Sequence, residues 1–372
     1  MSAKVVSFER FPTLIGALQE SGHTVVGPTV GEHAIVYDEI LTIDDLPIGV
    51  GDSQESGTYA LTRRPDNALF GYTVGPTTWK RFLFPPRETL LSVKNVDGTL
   101  IFDSTPPSST KYAFVGLRPC ELAAMQIQDR VFIGSDMVDP HYASARSSMF
   151  TVAVNCAVAG GTCFCSSMDT GPRVVDGYDL ALTEVIDGDR HEFIIETGST
   201  AGEEVLDTMD GREAIDDDFA AVDAIVANTA AHMGRTMETD DVYDVLLASL
   251  ESTQWDDVAK RCLSCTSCTL VCPTCFCSTM EDVSDLKCTA SRQRRWDSCF
   301  TMEFTNLHQH SVRSTTATQY RQWMTHKLAY WQDQFDTIGC VGCGRCLTWC
   351  PAGIDITEEV KKLRTAAKAV AV

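Results

Sequence analysis

Short apolar runs alternate with amphipathic stretches along the first half of the chain, a pattern that is typical of a mixed α/β fold. Runs rich in β-branched and aromatic residues, bounded by Gly, Asp and Pro clusters, predict strands. The predicted strands lie at 34–37, 59–62, 111–116, 150–154, 179–185 and 191–196. The last two flank Asp187 and Gly188, which predicts an antiparallel pair joined by a tight turn.

Helical spacing of apolar residues marks several segments between and after these strands. The segment 8–18 predicts a short helix broken by Pro12. A second helix places Cys120 in its first turn, where free N–H groups and the helix dipole favour a thiolate. A third is predicted at 212–233, with Asp218 off its apolar face.

The second half contains two cysteine runs of identical spacing, Cys262-x-x-Cys265-x-x-Cys268-x-x-x-Cys272-Pro273 and Cys340-x-x-Cys343-x-x-Cys346-x-x-x-Cys350-Pro351. This spacing is typical of bacterial ferredoxins with two 4Fe-4S clusters, in which the fourth cysteine of each run binds the other cluster. The ligands assigned on that basis are Cys262, Cys265, Cys268 and Cys350 for the first cluster, and Cys340, Cys343, Cys346 and Cys272 for the second. A pair of zinc sites is the alternative, although structural zinc usually takes its cysteines from two separated pairs.

The position of the two runs predicts the domain organisation. We expect an N-terminal α/β domain at 1–235 and an α-helical ferredoxin domain at 236–372. Because a compact ferredoxin needs few residues between its two runs, the segment 273–339 is interpreted as a long insertion in the second domain.

Further cysteines follow two strands of the predicted α/β domain. Cys120 comes after one strand, and Cys156 comes after the next, followed by Cys163 and Cys165. Ligands of open α/β sheets bind at the carboxyl ends of the strands, so we expect these four thiols to lie together and to bind a third iron–sulfur cluster. The alternative is that they are buried as small apolar residues, as free cysteines often are.

The insertion holds four more cysteines, Cys275, Cys277, Cys288 and Cys299. A further metal bound by Cys275, Cys277 and Cys299 is one interpretation of this group. Buried packing is the interpretation that the sequence favours.

Composition narrows the classes of function. The net charge of −21 over 372 residues disfavours nucleic acid as a partner, because phosphate binding needs clustered Lys and Arg. No apolar stretch approaches the length of a membrane span, and the start lacks the features of a secretory leader. With 16 cysteines in such a chain, we expect a reducing, cytoplasmic location and cluster binding.

The sequence contains no Gly-x-Gly-x-x-Gly after a strand, no phosphate-binding loop and no His-Glu-x-x-His. Two neighbouring 4Fe-4S clusters conduct single electrons, so the chain is predicted to relay electrons between partners without a substrate site of its own. One alternative is an enzyme that reduces sulfur or polysulfide at the N-terminal cysteines. Another is a module in which the clusters are structural or sensory.

Motifs along most of the chain carry a resemblance to a known family; they occupy 84–88, 116–121, 162–165, 171–172, 179–184, 272–275, 296–299 and 340–346. With these motifs the chain resembles the β subunit of cytoplasmic sulfhydrogenases, which are nickel–iron hydrogenases linked to NAD(P)H. It is also similar to the A subunit of anaerobic sulfite reductase. The first 70 residues carry none of these motifs.

The resemblance implies specific partners. One is a subunit that holds FAD and binds NAD(P)H. In the hydrogenase case the others are a small subunit with its own clusters and a large subunit with nickel and iron; in the sulfite reductase case the terminal subunit carries sirohaem. The hydrogenase-linked role is favoured, and the sulfite-linked role is the alternative.

Overall fold

The computed structural model describes residues 2–285, 288–308 and 310–370. Its strands are, in chain order, β1 (Ala3–Ser7), β2 (Thr24–Val30), β3 (Ile35–Glu39), β4 (Val50–Glu55), β5 (Thr58–Arg63), β6 (Arg87–Val96), β7 (Thr99–Ser104), β8 (Tyr112–Leu117), β9 (Phe150–Val154), β10 (Leu180–Asp187), β11 (Arg190–Thr197), β12 (Arg212–Glu213), β13 (Ser278–Ser284), β14 (Thr289–Trp296), β15 (Asn306–Leu307) and β16 (His310–Ser311).

The helices are α1 (Pro12–Glu20), α2 (Lys80–Leu83), α3 (Pro119–Phe132), α4 (Pro140–Ser147), α5 (Thr200–Asp207), α6 (Asp216–Ala231), α7 (Val242–Ala248), α8 (Gln254–Ala259), α9 (Ser267–Leu270), α10 (Thr316–Thr325), α11 (Trp331–Phe335), α12 (Arg345–Thr348) and α13 (Ile356–Val370). A π-helical segment, His326–Tyr330, joins α10 to α11.

Eight strands form the main sheet, in the order β12-β1-β11-β10-β9-β8-β2-β3. Its centre is parallel, because β10 pairs with β9, β9 with β8, and β8 with β2 in the same direction. Antiparallel strands flank this centre on both sides. The carboxyl ends of β8 and β9 therefore lie side by side, which brings the segments after Leu117 and Val154 to one edge of the sheet.

The predicted mixed α/β fold is confirmed, and each of the six predicted strands lies within a few residues of its expected bounds. Two helix predictions were wrong in detail. Pro12 begins α1 and does not break it, because the first helical position needs no N–H donor. Asp218 is buried, since it accepts hydrogen bonds from Arg212 and from the backbone N–H of Ile215 at the start of α6.

A second sheet joins the insertion to the N-terminal part of the chain. Its four antiparallel strands have the order β13-β14-β6-β7, so two strands of the insertion extend a hairpin from the first domain. The insertion 273–339 is thus packed on the N-terminal part, and the domain bounds 1–235 and 236–372 stay a prediction. Two further strand pairs, β4 with β5 and β15 with β16, stand outside these sheets.

Separate hydrophobic cores fill the two halves. One lies between the main sheet and α1, with Phe11, Leu18 and Val152 fully buried. Another surrounds the cysteine runs and includes Phe164 from the N-terminal part, so the two halves share packing. Among the described residues, no helix has the length and apolarity that crossing a membrane requires.

Candidate iron–sulfur site

The two cysteine runs fold into the same local shape. Ser264 and Thr266 in the first run have φ angles of 49° and 68°, and Gly342 and Gly344, at the matching positions of the second run, have 63° and 74°. In each case a single turn of helix follows, α9 or α12. The repeated left-handed residues curl the backbone between successive cysteines, which lets three thiols of one run face a common space.

Glycine occurs only in the second run because that loop is pressed against the N-terminal half. A Cβ atom on Gly344 would lie 2.4 Å from the carbonyl oxygen of Thr162, and one on Gly342 would lie 2.6 Å from the backbone of Phe164. The backbone N–H of Phe164 also donates to the carbonyl of Gly342 at 2.8 Å. In the first run Ser264 and Thr266 are half-buried and keep their side chains, so they adopt the same backbone at a conformational cost.

One cavity is lined by the four thiols that were assigned to the first cluster, Cys262, Cys265, Cys268 and Cys350, and Cys346 of the second run also reaches its wall. Three of these four thiols come from the first run and Cys350 comes from the second, so this set combines thiols of both runs. Apolar side chains complete the wall, notably Phe300 and Ile356. The thiols stand around this space; among the residues that the structure describes, no three His, Cys, Asp or Glu side chains come together closely enough to hold a single metal ion.

Hydrogen-bond donors point toward the sulfur atoms of this cavity. The backbone N–H of Ser264 donates to Cys262 Sγ at 3.4 Å, and that of Ile354 donates to Cys350 Sγ at 3.3 Å. Tyr320 and Trp323, which also line the cavity, have buried polar atoms that find no partner among the described residues. Cluster sulfurs accept hydrogen bonds, so these donors fit a thiolate-held iron–sulfur cluster in the cavity.

The second set of thiols lies deeper. Burial raises the pKa of Cys340 to about 12, and the neighbouring Cys343 and Cys272 act in the same direction. Burial also raises the pKa of Cys346 well above its usual range, with the same neighbours contributing. Cys272 from the first run therefore lies among the three thiols of the second, as the crossed assignment requires. Metal binding to such thiols would release their protons.

Two buried lysines face this second set. Lys327 Nζ lies 3.2 Å from Cys272 Sγ and also donates to the carbonyl of Gly339 at 3.1 Å. The Cys275 thiol and the Lys327 ammonium hold the pKa of Cys272 well below its ordinary value. Lys80 Nζ donates to the carbonyls of Cys272 and Cys275 at 2.9 and 3.1 Å. No local pattern in the sequence indicates either lysine, because both lie far from Cys272 along the chain.

The four N-terminal cysteines do converge at the edge of the main sheet. Cys163 and Cys165 each interact electrostatically with Cys156, and Cys120 interacts with Cys165. Cys343 of the second run acts on Cys120, Cys163 and Cys165 as well. The group therefore adjoins the second set of thiols, and its binding of a third cluster stays a prediction.

One expectation for this group was wrong. The start of α3 was expected to favour a thiolate at Cys120, but burial raises the pKa of that thiol well above its ordinary value. Burial likewise raises the pKa of Cys156 and raises that of Cys163 to about 12. Loss of hydration outweighs the helix dipole here, because the dipole contributes little compared with full desolvation.

The insertion cysteines separate into two kinds. Cys275, Cys277 and Cys299 line one cavity beside Lys327, although Cys299 lies more than 20 positions from the other two in sequence. Cys277 and Cys299 also face an open cleft. Cys288 is exposed and immediately precedes β14.

Comparison with known proteins agrees with this geometry. Residues 261–354 match the family of 4Fe-4S dicluster domains. Over 365 residues, which are 96% of each protein, the chain is 28% identical to sulfhydrogenase 2 subunit beta of Pyrococcus furiosus. The chain is therefore a homologue of a sulfhydrogenase β subunit that carries a 4Fe-4S dicluster domain, and these similarities support an iron–sulfur electron-transfer subunit.

Proposed function

We propose that the chain relays electrons between a subunit that holds FAD and binds NAD(P)H and the small and large subunits of a nickel–iron hydrogenase of the sulfhydrogenase type. The observation that carries this proposal is the crossed set of thiols, in which Cys350 joins Cys262, Cys265 and Cys268 around one cavity. The similarity to sulfhydrogenase 2 subunit beta along nearly the whole chain supports the choice of partners.

The two thiol sets have different roles in this proposal. When bound, a 4Fe-4S cluster supplies one-electron transfer, and the ligand loops of this chain hold it in place. The first set reaches the surface, since Cys265 is exposed and the side chain of Leu263 is 68% exposed. The second set is interior, with Cys272 and Cys343 less than 10% exposed. A partner therefore exchanges electrons most readily at the first set.

In this proposal the second set is the interior end of the electron relay. Cys343 adjoins the N-terminal thiols, and Arg345 in the same loop pairs with Glu121 beside Cys120. A third cluster held by Cys120, Cys156, Cys163 and Cys165 would extend the relay to the edge of the main sheet. This assignment is part of the proposal and depends on the convergence of those four thiols.

Reduction of polysulfide at the N-terminal cysteines receives less support. Cys120, Cys163 and Cys165 are 5%, 9% and 6% exposed, and burial raises the pKa of each thiol. A thiol must be deprotonated and accessible to attack a sulfur chain. The buried thiols meet neither condition.

Crossed ligation is tested by replacing single cysteines and recording the EPR spectra of the reduced full chain. Cys350→Ser is expected to alter the same cluster signal as Cys265→Ser, and Cys272→Ser is expected to alter the same signal as Cys343→Ser. Cys288→Ser serves as the control, because that thiol is exposed and belongs to neither set. If Cys350→Ser instead reproduced the spectrum of Cys343→Ser, the assignment of ligands would be wrong.

The relay itself is tested by reconstitution with the two partner modules. Without this chain, the flavoprotein should still reduce dyes with NAD(P)H, while electrons no longer reach the hydrogenase module. Adding the chain should restore hydrogen evolution from NAD(P)H. Undiminished transfer in its absence would overturn the proposed function.

A further inference from the structure

Three cysteines of the insertion are brought together by the pairing of two strands. Cys277 immediately precedes β13 and Cys299 follows β14, and the two strands pair antiparallel. The backbone N–H of Asp297 donates to the carbonyl of Cys277 at 2.8 Å, which continues the pairing beyond the ladder. With Cys275, Cys277 and Cys299 line a common cavity.

This cavity lies between the two ferredoxin sets. Cys275 interacts with Cys272 of the second set, and Cys299 interacts electrostatically with Cys268 of the first. Trp323 lines both this cavity and the one that contains Cys268, and its indole N–H finds no partner among the described residues. A redox group placed here would be next to both clusters.

Charge provides an independent argument. Lys80 and Lys327 are 2% and 4% exposed, and within the described parts of the chain neither forms an ion pair with a carboxylate. A buried ammonium group is costly unless a negative charge compensates it. The second cluster can compensate Lys327, which contacts Cys272. Lys80 donates to the carbonyls of Cys272 and Cys275 and lies over the ring of Trp296, so it lies beside the insertion thiols as well as the second set.

We propose that Cys275, Cys277 and Cys299 are ligands of an additional iron–sulfur cluster, distinct from the two of the ferredoxin runs. The chain supplies three thiolates, and His326 lies in the wall shared by the cavity and the open cleft, where it provides the fourth donor. This site goes beyond the relay function and does not depend on which partners the chain has. Cluster binding accounts for the three cysteines of the insertion, which packing alone does not explain.

The test compares full-length variants purified without oxygen, by iron and sulfide content and by EPR after stepwise reduction. The native chain should hold about 16 irons if the N-terminal thiols bind the cluster proposed above, and about 12 irons if they do not. Cys277→Ser with Cys299→Ser should remove about four irons and one EPR signal, while the two ferredoxin signals persist. His326→Gln should keep the iron and shift the signal of this cluster alone.

Two controls separate this site from others. Cys288→Ser, in the same insertion, should change neither the iron content nor the EPR spectrum. The double variant Cys163→Ser with Cys165→Ser should leave the EPR signal of the insertion cluster in place. Loss of the signal in the N-terminal variant and its survival in the Cys277 and Cys299 variant would overturn the proposal. So would a native chain with about eight irons, or zinc in place of iron. The single variants Cys277→Ser and Cys299→Ser, checked by circular dichroism, guard against loss of the fold.

Discussion

Arg345 donates through Nη2 to Oε1 of Glu121 at 2.7 Å, and both side chains are fully buried. Arg345 lies between two cysteines of the second run, and Glu121 follows Cys120 in α3, so the pair fastens the cluster loop to the main sheet. Glu121 also accepts from Tyr37 Oη at 2.7 Å and from the backbone N–H of Arg118 at 3.1 Å. Both oxygens of the Glu121 carboxylate therefore accept hydrogen bonds.

Removing the charge of Glu121 should destabilise the protein strongly. Glu121→Gln leaves Arg345 as an uncompensated buried cation, which typically costs about 3–5 kcal/mol. Thermal unfolding without oxygen, followed by circular dichroism and by loss of cluster absorbance, should show a lower midpoint. Asp282→Asn is the matched control, because the Arg292–Asp282 pair is exposed and should contribute nothing measurable. Equal midpoints for native chain and Glu121→Gln would contradict this account.

The second cysteine run should tolerate no side chain at Gly344. In Gly344→Ala the new Cβ meets the carbonyl of Thr162 at 2.4 Å, and the φ of 74° disfavours any L-residue. We expect a loss of more than about 1 kcal/mol in unfolding free energy, together with slower incorporation of iron.

The matched control is Thr266→Gly at the equivalent position of the first run, where φ is 68°. This change removes backbone strain and should be neutral or slightly stabilising. If both variants lost stability equally, close packing against Thr162 would not be the reason that glycine occurs in the second run.

Local spacing explains why the grouping of the ferredoxin thiols could be predicted, while their role as cluster ligands stays a prediction. Three cysteines within seven residues of one loop must lie close together, and the repeated run identifies the source of the fourth ligand. The strands β8 and β9 could be predicted for a similar reason, because continuous apolar runs are typical of the buried centre of a parallel sheet. Both predictions depend only on neighbours along the chain.

The remaining features depend on contacts between distant parts of the chain. Lys327 contacts Cys272, which lies 55 positions earlier in the chain. No pattern in the sequence of the helix around Lys327 indicates that contact. The pairing of β14 with β6 joins segments about 200 residues apart. The alternation of residue types along β6 predicts a strand but does not indicate which strand pairs with it. For the same reason the sequence could not show that Cys299 shares a cavity with Cys275 and Cys277.

Lys327 should raise the reduction potential of the second cluster. Its ammonium lies 3.2 Å from Cys272 Sγ and is 4% exposed, so it favours the more negative, reduced form. A unit charge about 6–8 Å away, at an effective dielectric constant of about 20, contributes about 2–3 kcal/mol. Lys327→Met should therefore lower the potential by about 100 mV for one electron.

EPR-monitored redox titration measures this shift directly. The signal assigned to Cys272 and Cys343 should move to more negative potential, and the signal assigned to Cys265 should move less. Lys362→Met is the control, because that lysine is partly exposed and pairs with Glu359. An unchanged potential in Lys327→Met, with the iron retained, would show that this ammonium does not act on the cluster.

The loop of the first cysteine run should be the docking point for an electron-transfer partner. Leu263 is 68% exposed between Cys262 and Ser264, and Cys265 next to it is exposed as well. An apolar side chain at a cluster edge is suited to a protein interface, where a buried charge would be costly. Leu263→Asp should slow transfer to the partner modules proposed above by roughly tenfold, which corresponds to about 1.4 kcal/mol. Reduction by dithionite should stay unchanged, because a small reagent needs no docking surface.

Leu41→Asp is the matched control, since Leu41 is 65% exposed but follows β3 and does not line the cavity of the first set. Stopped-flow measurements with the reconstituted partner separate the two variants, and equal rates for both would place the docking surface elsewhere.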